Sequence, residues 1–200
     1  MNTIKEKVRT TQTINKSEFI CTLIPIKDYE DSQNKLASIR KEFYDATHNC
    51  YAIIWGENGE YSKFSDDGEP SQTAGVVIHN VLKQNELTNV LAIVTRYFGG
   101  IKLGAGGLVR AYSSSTALAV KEATITKIIK ISTLEIKTNY TYINLVLKEL
   151  ERINARIIRK DFYEDIVLTI ELPDSDIQDL KSNLIEITKG SVKINQLNTL

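Results

Sequence analysis

The sequence predicts an α/β (α+β) protein of two domains: a βαβ-rich domain over residues 1–125 and a ferredoxin-like βαββαβ domain over residues 126–200. Three observations predict it. Five of the ten glycines lie between Gly99 and Gly107, separating a branched apolar run from an alanine- and serine-rich helical pattern, which reads as a β–turn–α step. The last 75 residues change character and follow the order β-α-β-β-α-β. Hydrophobic residues make up 42% and charged residues 25%, an ordinary balance for a chain that buries a core.

The first domain opens with strands at Val8–Ile14 and Glu18–Ile24 joined near Asn15-Lys16, and Pro25 ends the second. Asp28 suits the N-cap of a helix from Tyr29 to about Tyr44, with Leu36, Ile39 and Phe43 on one face. A strand follows from Asn49 to Trp55, then a turn at Gly56–Glu60 and a returning strand at Tyr61–Phe64. Pro70-Ser71 opens a helical pattern carrying Ala74, Val77, Ile78 and Val81. Residues 88–95 are a short apolar run with little alternation, the pattern of a strand covered on both faces. A helix is expected from about Gly106 to Glu122, where Ala111, Ser114, Ser115 and Ala119 permit close approach of another element.

In the second domain a strand is expected over 126–137 and a helix over 139–151 with Tyr142, Leu145, Val146 and Leu150 at helical spacing. Strands at 155–162 and 165–172 precede a helix capped by Asp174 or Ser175 and carrying Ile177, Leu180, Leu184 and Ile187. Gly190 is the expected C-cap, before a last strand at 191–195.

Composition removes several function classes. Lys plus Arg and Asp plus Glu each total 25, so a net charge of zero leaves only a local basic face for nucleic acid. Two cysteines, Cys21 and Cys50, do not make a disulfide scaffold and cannot by themselves complete a zinc site. The start lacks a secretory signal and no apolar run approaches membrane-spanning length, so a cytoplasmic protein without a membrane partner is expected.

Chemistry concentrates in two segments. In Arg96–Arg110, glycines at a helix start expose backbone amides where the helix dipole favours an anion, and Arg96, Lys102 and Arg110 add charge. The alternative is a close-packed turn with surface cations. A Walker loop fails because Ala105 and Gly106 follow Gly104, and a dinucleotide fingerprint fails because Val109 occupies its third small position. In Phe64–Gly75, Asp66, Asp67 and Glu69 precede Ser71 and Thr73. They suit capping of the next helix, a polar ligand or magnesium; ion pairing with Arg96 or Arg110 would relieve their repulsion. The calcium-loop pattern fails at its twelfth position, Val77. His48 and Cys50 lie two apart on a strand, compatible with a thiol–imidazole pair or with simple burial. Tyr51, Trp55, Tyr97, Phe98 and Tyr112 suit either stacking or the core.

Three separated stretches, His48–Ile53, Phe64–Gly75 and Val94–Tyr112, together resemble the YigZ/IMPACT family in its own motif order. The resemblance marks His48, Asn49, Cys50, Asp66, Asp67, Gly68, Glu69, Pro70, Arg96, Tyr97, Gly99, Gly100, Lys102, Leu103, Gly104, Gly107 and Arg110 as signature positions without assigning a reaction. It implies a first domain of a ribosomal-protein-like superfamily and a second similar to a terminal domain of elongation factor G. Eukaryotic members resemble regulators of the starvation-response kinase and carry an additional N-terminal partner-binding domain; this chain begins almost directly with the shared domain.

The leading expectation is a non-catalytic RNA- or ribosome-associated, translation-related regulatory protein. Its nucleic-acid or anion-binding surface comprises Arg96, Gly99, Gly100, Lys102, Gly104, Gly106, Gly107 and Arg110. His48, Cys50, Asp66, Asp67 and Glu69 form a supporting or alternative site. No catalytic residue, metal or cofactor is assigned. The competing expectations are a magnesium-dependent or metal-free enzyme on a small phosphorylated or anionic substrate, and a module that binds a regulatory protein.

Overall fold

A computed structural model describes residues 1–197, which divide between two compact units, Met1–Ile128 and Ile129 onward. The first unit is built on five antiparallel strands. β1 (Asn2–Ile4) stands apart from them, and β2 (Val8–Ile14) and β3 (Ser17–Pro25) form a hairpin. Asn15 and Lys16 turn this hairpin with φ of 47° and 63°, the positive pair that matches strand twist in a two-residue loop. Next come α1 (Tyr29–Glu42), β4 (His48–Trp55), β5 (Tyr61–Ser65), α2 (Gly75–Gln84), β6 (Val90–Tyr97), α3 (Gly104–Glu122) and β7 (Ile125–Lys127).

The sheet order is β2-β3-β6-β4-β5 with every neighbour antiparallel. The βαβ units are therefore split: β3 and β4 run parallel but β6 lies between them, and β4 likewise separates β5 from β6. Alternation across the pleat sends Phe19, Cys21, Cys50, Ala52, Val90, Ala92 and Val94 towards α2 and α3. The opposite face carries Ile24, Tyr51, Ile53, Leu91 and Ile93 against Leu36 and Ile39 of α1. Both faces of β6 are thus covered, which explains its unbroken apolar run. Asp28 accepts from the Asp31 amide at 2.8 Å and caps α1. Ala111, Ser115 and Ala119 bring α3 close to the sheet, and Gln12 of β2 donates to the hydroxyls of Ser114 and Ser115.

Several expected elements differ; the helix expected over 139–151 begins only at Ile143, and two further differences have a clear cause. The helix expected from Pro70 starts at Gly75, because Asp66 supplies its capping oxygens from eight and nine residues upstream. The single strand expected over 126–137 is two. β7 pairs with β1, through Asn2↔Lys127 to Ile4↔Ile125, and so belongs to the first unit.

The second unit runs β8 (Ile131–Thr138), α4 (Ile143–Arg152), β9 (Arg156–Phe162), β10 (Ile166–Pro173), α5 (Ile177–Ile187) and β11 (Lys193–Leu197). Its four-stranded antiparallel sheet has the order β11-β8-β10-β9. Leu134, Ile136, Leu168 and Ile170 pack on Val146 and Leu150 of α4 and on Leu180 and Leu184 of α5. A turn of 3-10 helix at Asp174–Asp176 leads into α5, and Asp176 at its N-cap position makes no side-chain capping bond.

Candidate functional site

Strand register builds the site. Phe19 of β3, Arg96 of β6 and His48 of β4 are direct cross-strand neighbours on the face covered by α2 and α3. Arg96 is buried, so its charge requires a partner. The β5–α2 loop supplies one: Arg96 Nη1 donates to Glu69 Oε1 at 2.6 Å, and both side chains are at least nine-tenths buried. The same oxygen accepts from the Tyr112 hydroxyl at 2.8 Å. Arg96 Nη2 reaches Ser17 Oγ at 3.4 Å, while its Nε has no hydrogen-bond partner among the described residues. The guanidinium carbon sits 5.5 Å from the ring centroids of both Phe19 and Phe98, within cation–π range.

The acidic loop is shaped to deliver Glu69. Asp66 accepts from the amides of Gln72, Ala74 and Gly75 at 2.8–3.0 Å. Asp67 accepts from the Asn49 amide at 2.7 Å and pairs with Arg40 at 2.9 Å. His48 Nδ1 lies 2.8 Å from the Asp67 carbonyl oxygen, and its Nε2 is 3.9 Å from Glu69 Oε2. Asp66 and Asp67 are therefore engaged by the protein's own donors, which does not fit a magnesium site; Glu69 alone of the three faces the cleft below.

Cys50 shares a face with His48 but not a hydrogen bond, so no thiol–imidazole pair forms. Its thiol lies 3.0 Å from the Asp66 carbonyl oxygen and 3.3 Å from the Tyr112 hydroxyl. Burial pushes that thiol up to about 12, well away from a nucleophilic thiolate. The Tyr112 phenol is raised as well, first by burial and then by Cys50 and Glu69 beside it. His79 stands on α2, away from the Arg96 pair, its ring 5.5 Å from that of Phe64.

Beside the Arg96–Glu69 pair opens a cleft of about 470 Å³, in the size range of small-molecule sites. His48, Glu69 and Arg96 line it together with Phe98, Lys102 and Gly104. α3 starts here with no side-chain cap and no acidic residue in its first turn, so its leading amides and positive dipole end are unopposed.

The glycines have different tasks. A Cβ on Gly99 would collide with the Lys16 carbonyl, and its amide donates to Ser17 Oγ at 3.2 Å, so Gly99 serves close packing over the β2–β3 turn. Gly107 is packed similarly: a Cβ there would lie 2.8 Å from Leu103 Cβ. Gly100 has open space around it, as does Gly104, whose φ of +71° lets the chain enter α3. Gly106 meets nothing closer than Arg110 at 3.8 Å. Arg110 itself lines a neighbouring recess of about 310 Å³ with Asn15 and Ser114, separated from the first by Leu103. The three cations expected to act together are thus divided: Arg96 is buried and paired, Lys102 is exposed at the cleft, and Arg110 lies on the far side of Leu103. Arg40, Phe19 and Ser17 joined the site unforeseen, and Tyr112, expected to stack or to fill the core, serves it as a donor to Glu69, because strand register and packing, not local spacing, bring them there.

Fold and site together define a class: an α+β protein whose first unit holds a cleft around a buried Arg–Glu pair, followed by a unit with a four-stranded antiparallel sheet and two helices. Residues 15–120 match the Impact N-terminal domain, and residues 136–191 match a domain of unknown function, DUF1949. The chain belongs to the IMPACT family. It is 34% identical to the IMPACT family member YvyE of Bacillus subtilis over 97% of this chain and 89% of that protein. It is 30% identical to YigZ of Escherichia coli over 94% of this chain and 93% of YigZ. A crystallised hypothetical protein, 27% identical, superposes with a TM-score of 0.67 and covers 100% of this chain and 98% of its own. Among the described residues no helix is long and apolar enough to cross a membrane.

Proposed function

We propose that this protein is an RNA- or ribosome-associated, translation-related regulatory protein whose first unit binds RNA without catalysis. One observation carries the proposal. The uncapped start of α3 is bordered by Lys102 and a half-exposed Phe98 on one side of Leu103 and by Arg110 on the other. A single strand is recognised by that combination: cations and helix-end amides take phosphates, and an aromatic face stacks a base. Arg96 contributes through position, anchoring Glu69 and backing Phe98, rather than through an open guanidinium. The strand order of the second unit supports the expected ferredoxin-like module, and the likeness to an elongation factor G terminal domain that the family resemblance implies would suit a ribosomal setting. The ribosomal-protein-like architecture expected for the first unit points the same way.

The test is fluorescence anisotropy of a labelled single-stranded RNA with wild type and a Lys102→Ala/Arg110→Ala double variant. Loss of binding by a folded double variant is the expected result, and equal binding by both proteins would refute the proposal. A second reading, an enzyme acting on a small anionic substrate, is favoured by His48 standing beside Glu69 in the cleft. A phosphoester hydrolysis screen, with and without magnesium, distinguishes it, provided that any activity found disappears in His48→Ala.

A further inference from the structure

The His48 tautomer follows from its neighbour. A carbonyl oxygen can only accept, so the 2.8 Å contact with Asp67 O requires the hydrogen on Nδ1. In its neutral form the ring then presents a lone pair at Nε2. Across from it, Oε1 takes both hydrogen bonds that the Glu69 carboxylate receives among the described residues, leaving Oε2 facing Nε2 at 3.9 Å. With the ring in that form, two acceptors face each other at the wall of the cleft, one on a carboxylate side chain only 3% exposed. Such a pair is satisfied by adjacent hydroxyl donors.

The other polar edge of the same cleft has the opposite character. Lys102 and the first amides of α3, a 19-residue helix, offer only donors and positive charge. Apolar Phe98 supplies a flat face between solvent and Arg96. The complementary ligand carries an anion at one end and neighbouring hydroxyls at the other.

We infer that the cleft takes a 5′-phosphoribosyl unit with free 2′- and 3′-hydroxyls, its diol on His48 Nε2 and Glu69 Oε2 and its phosphate at Lys102 and the start of α3. Resting on the RNA reading above, its source is the 3′-terminal nucleotide of an RNA strand, where the phosphate leads back into the chain. A free 5′-mononucleotide has the same chemistry. Internal nucleotides have their 3′-oxygen esterified and DNA ends lack the 2′-hydroxyl, so both present less to the acceptor pair.

The experiment compares a short oligoadenylate ending in a normal diol with the same oligomer ending in a 2′,3′-dideoxynucleotide, which has the same charge. 5′-AMP and 2′,3′-dideoxy-AMP serve as direct ligands and as competitors. Loss of hydrogen bonds to a charged acceptor predicts about tenfold or weaker binding of the dideoxy end. His48→Leu, checked for folding by the fluorescence of Trp55, should bind the normal end about as weakly as the dideoxy end and so lose that discrimination. RNA bound equally well with either end overturns the terminal-diol inference and leaves the RNA reading intact. AMP bound in preference to dideoxy-AMP, with no RNA bound, overturns the RNA reading and retains the diol site. Binding of neither overturns both.

Discussion

Removing the Glu69 carboxylate tests the architecture of the site most severely. In Glu69→Ala, Arg96 keeps its buried charge but loses its ion-pair partner at 2.6 Å, and the Tyr112 hydroxyl loses its acceptor at 2.8 Å. Breaking one side of a buried pair costs about 3–5 kcal/mol. The unfolding entropy of about 2.1 cal/mol/K per residue gives about 0.27 kcal/mol/K for the 128 residues of the first unit. The loss therefore corresponds to a fall in Tm of about 10–20 °C. Trp55, the single tryptophan, lies on β4 beside Tyr61, so its fluorescence reports on this unit alone. The double variant Glu69→Ala/Arg96→Met removes the stranded charge and keeps an unbranched side chain between the phenylalanine rings, so it should recover at least half of the loss. A fall of less than about 4 °C in Glu69→Ala, roughly 1 kcal/mol by the same conversion, would refute the reasoning. So would a double variant no better than the single one.

Other consequences follow from the same contacts. Gly99→Ala forces a Cβ into the Lys16 carbonyl and should destabilise by about 1–3 kcal/mol or more, whereas Gly106→Ala, with open space in a helix, should stabilise by about 0.5–1 kcal/mol; chemical denaturation of both variants checks the contrast. Cys21 and Cys50 are buried with thiols pushed up to about 12, chiefly by burial. A thiol reagent at pH 8 should therefore label neither until the first unit unfolds, and rapid labelling of the native protein would contradict that. The Tyr97 phenol donates to Asp45 at 2.8 Å and is raised to about 12. A raised folded-state pKa means that this bond's contribution is complete below pH 10 and is lost as pH rises towards 12. Ultraviolet titration should accordingly show a late-ionising phenol that is missing in Tyr97→Phe.

Local pattern carried much of the fold. β6 was legible because coverage on both faces leaves an unbroken apolar run, and α1 because Asp28 and the Leu36/Ile39 spacing act within a few residues. β1 was not legible: three residues paired with a strand more than 120 positions away leave no periodic trace. The start of α2 was set too early because its cap, Asp66, lies eight residues before Ala74, outside any local capping window. For the site, glycine density and acid spacing mark two segments that the fold brings to one cleft, and relief of the acids' repulsion allows for the pairing of Glu69 with Arg96. The row Phe19–Arg96–His48, by contrast, depends on cross-strand register, and Tyr112 reaches it only by helix packing. Charge counting near the glycines also could not separate a buried, neutralised Arg96 from exposed Lys102 and Arg110.

The salt dependence of RNA binding is the most direct measure of the central claim that Lys102 and Arg110 flank one phosphate-binding helix start. For single strands each neutralised phosphate adds about 0.7 to the slope of log K against log salt concentration. Replacing both residues by alanine should flatten that slope by about 1.4 while Trp55 fluorescence stays native. An unchanged slope in a folded double variant would place RNA elsewhere on the molecule and contradict the account.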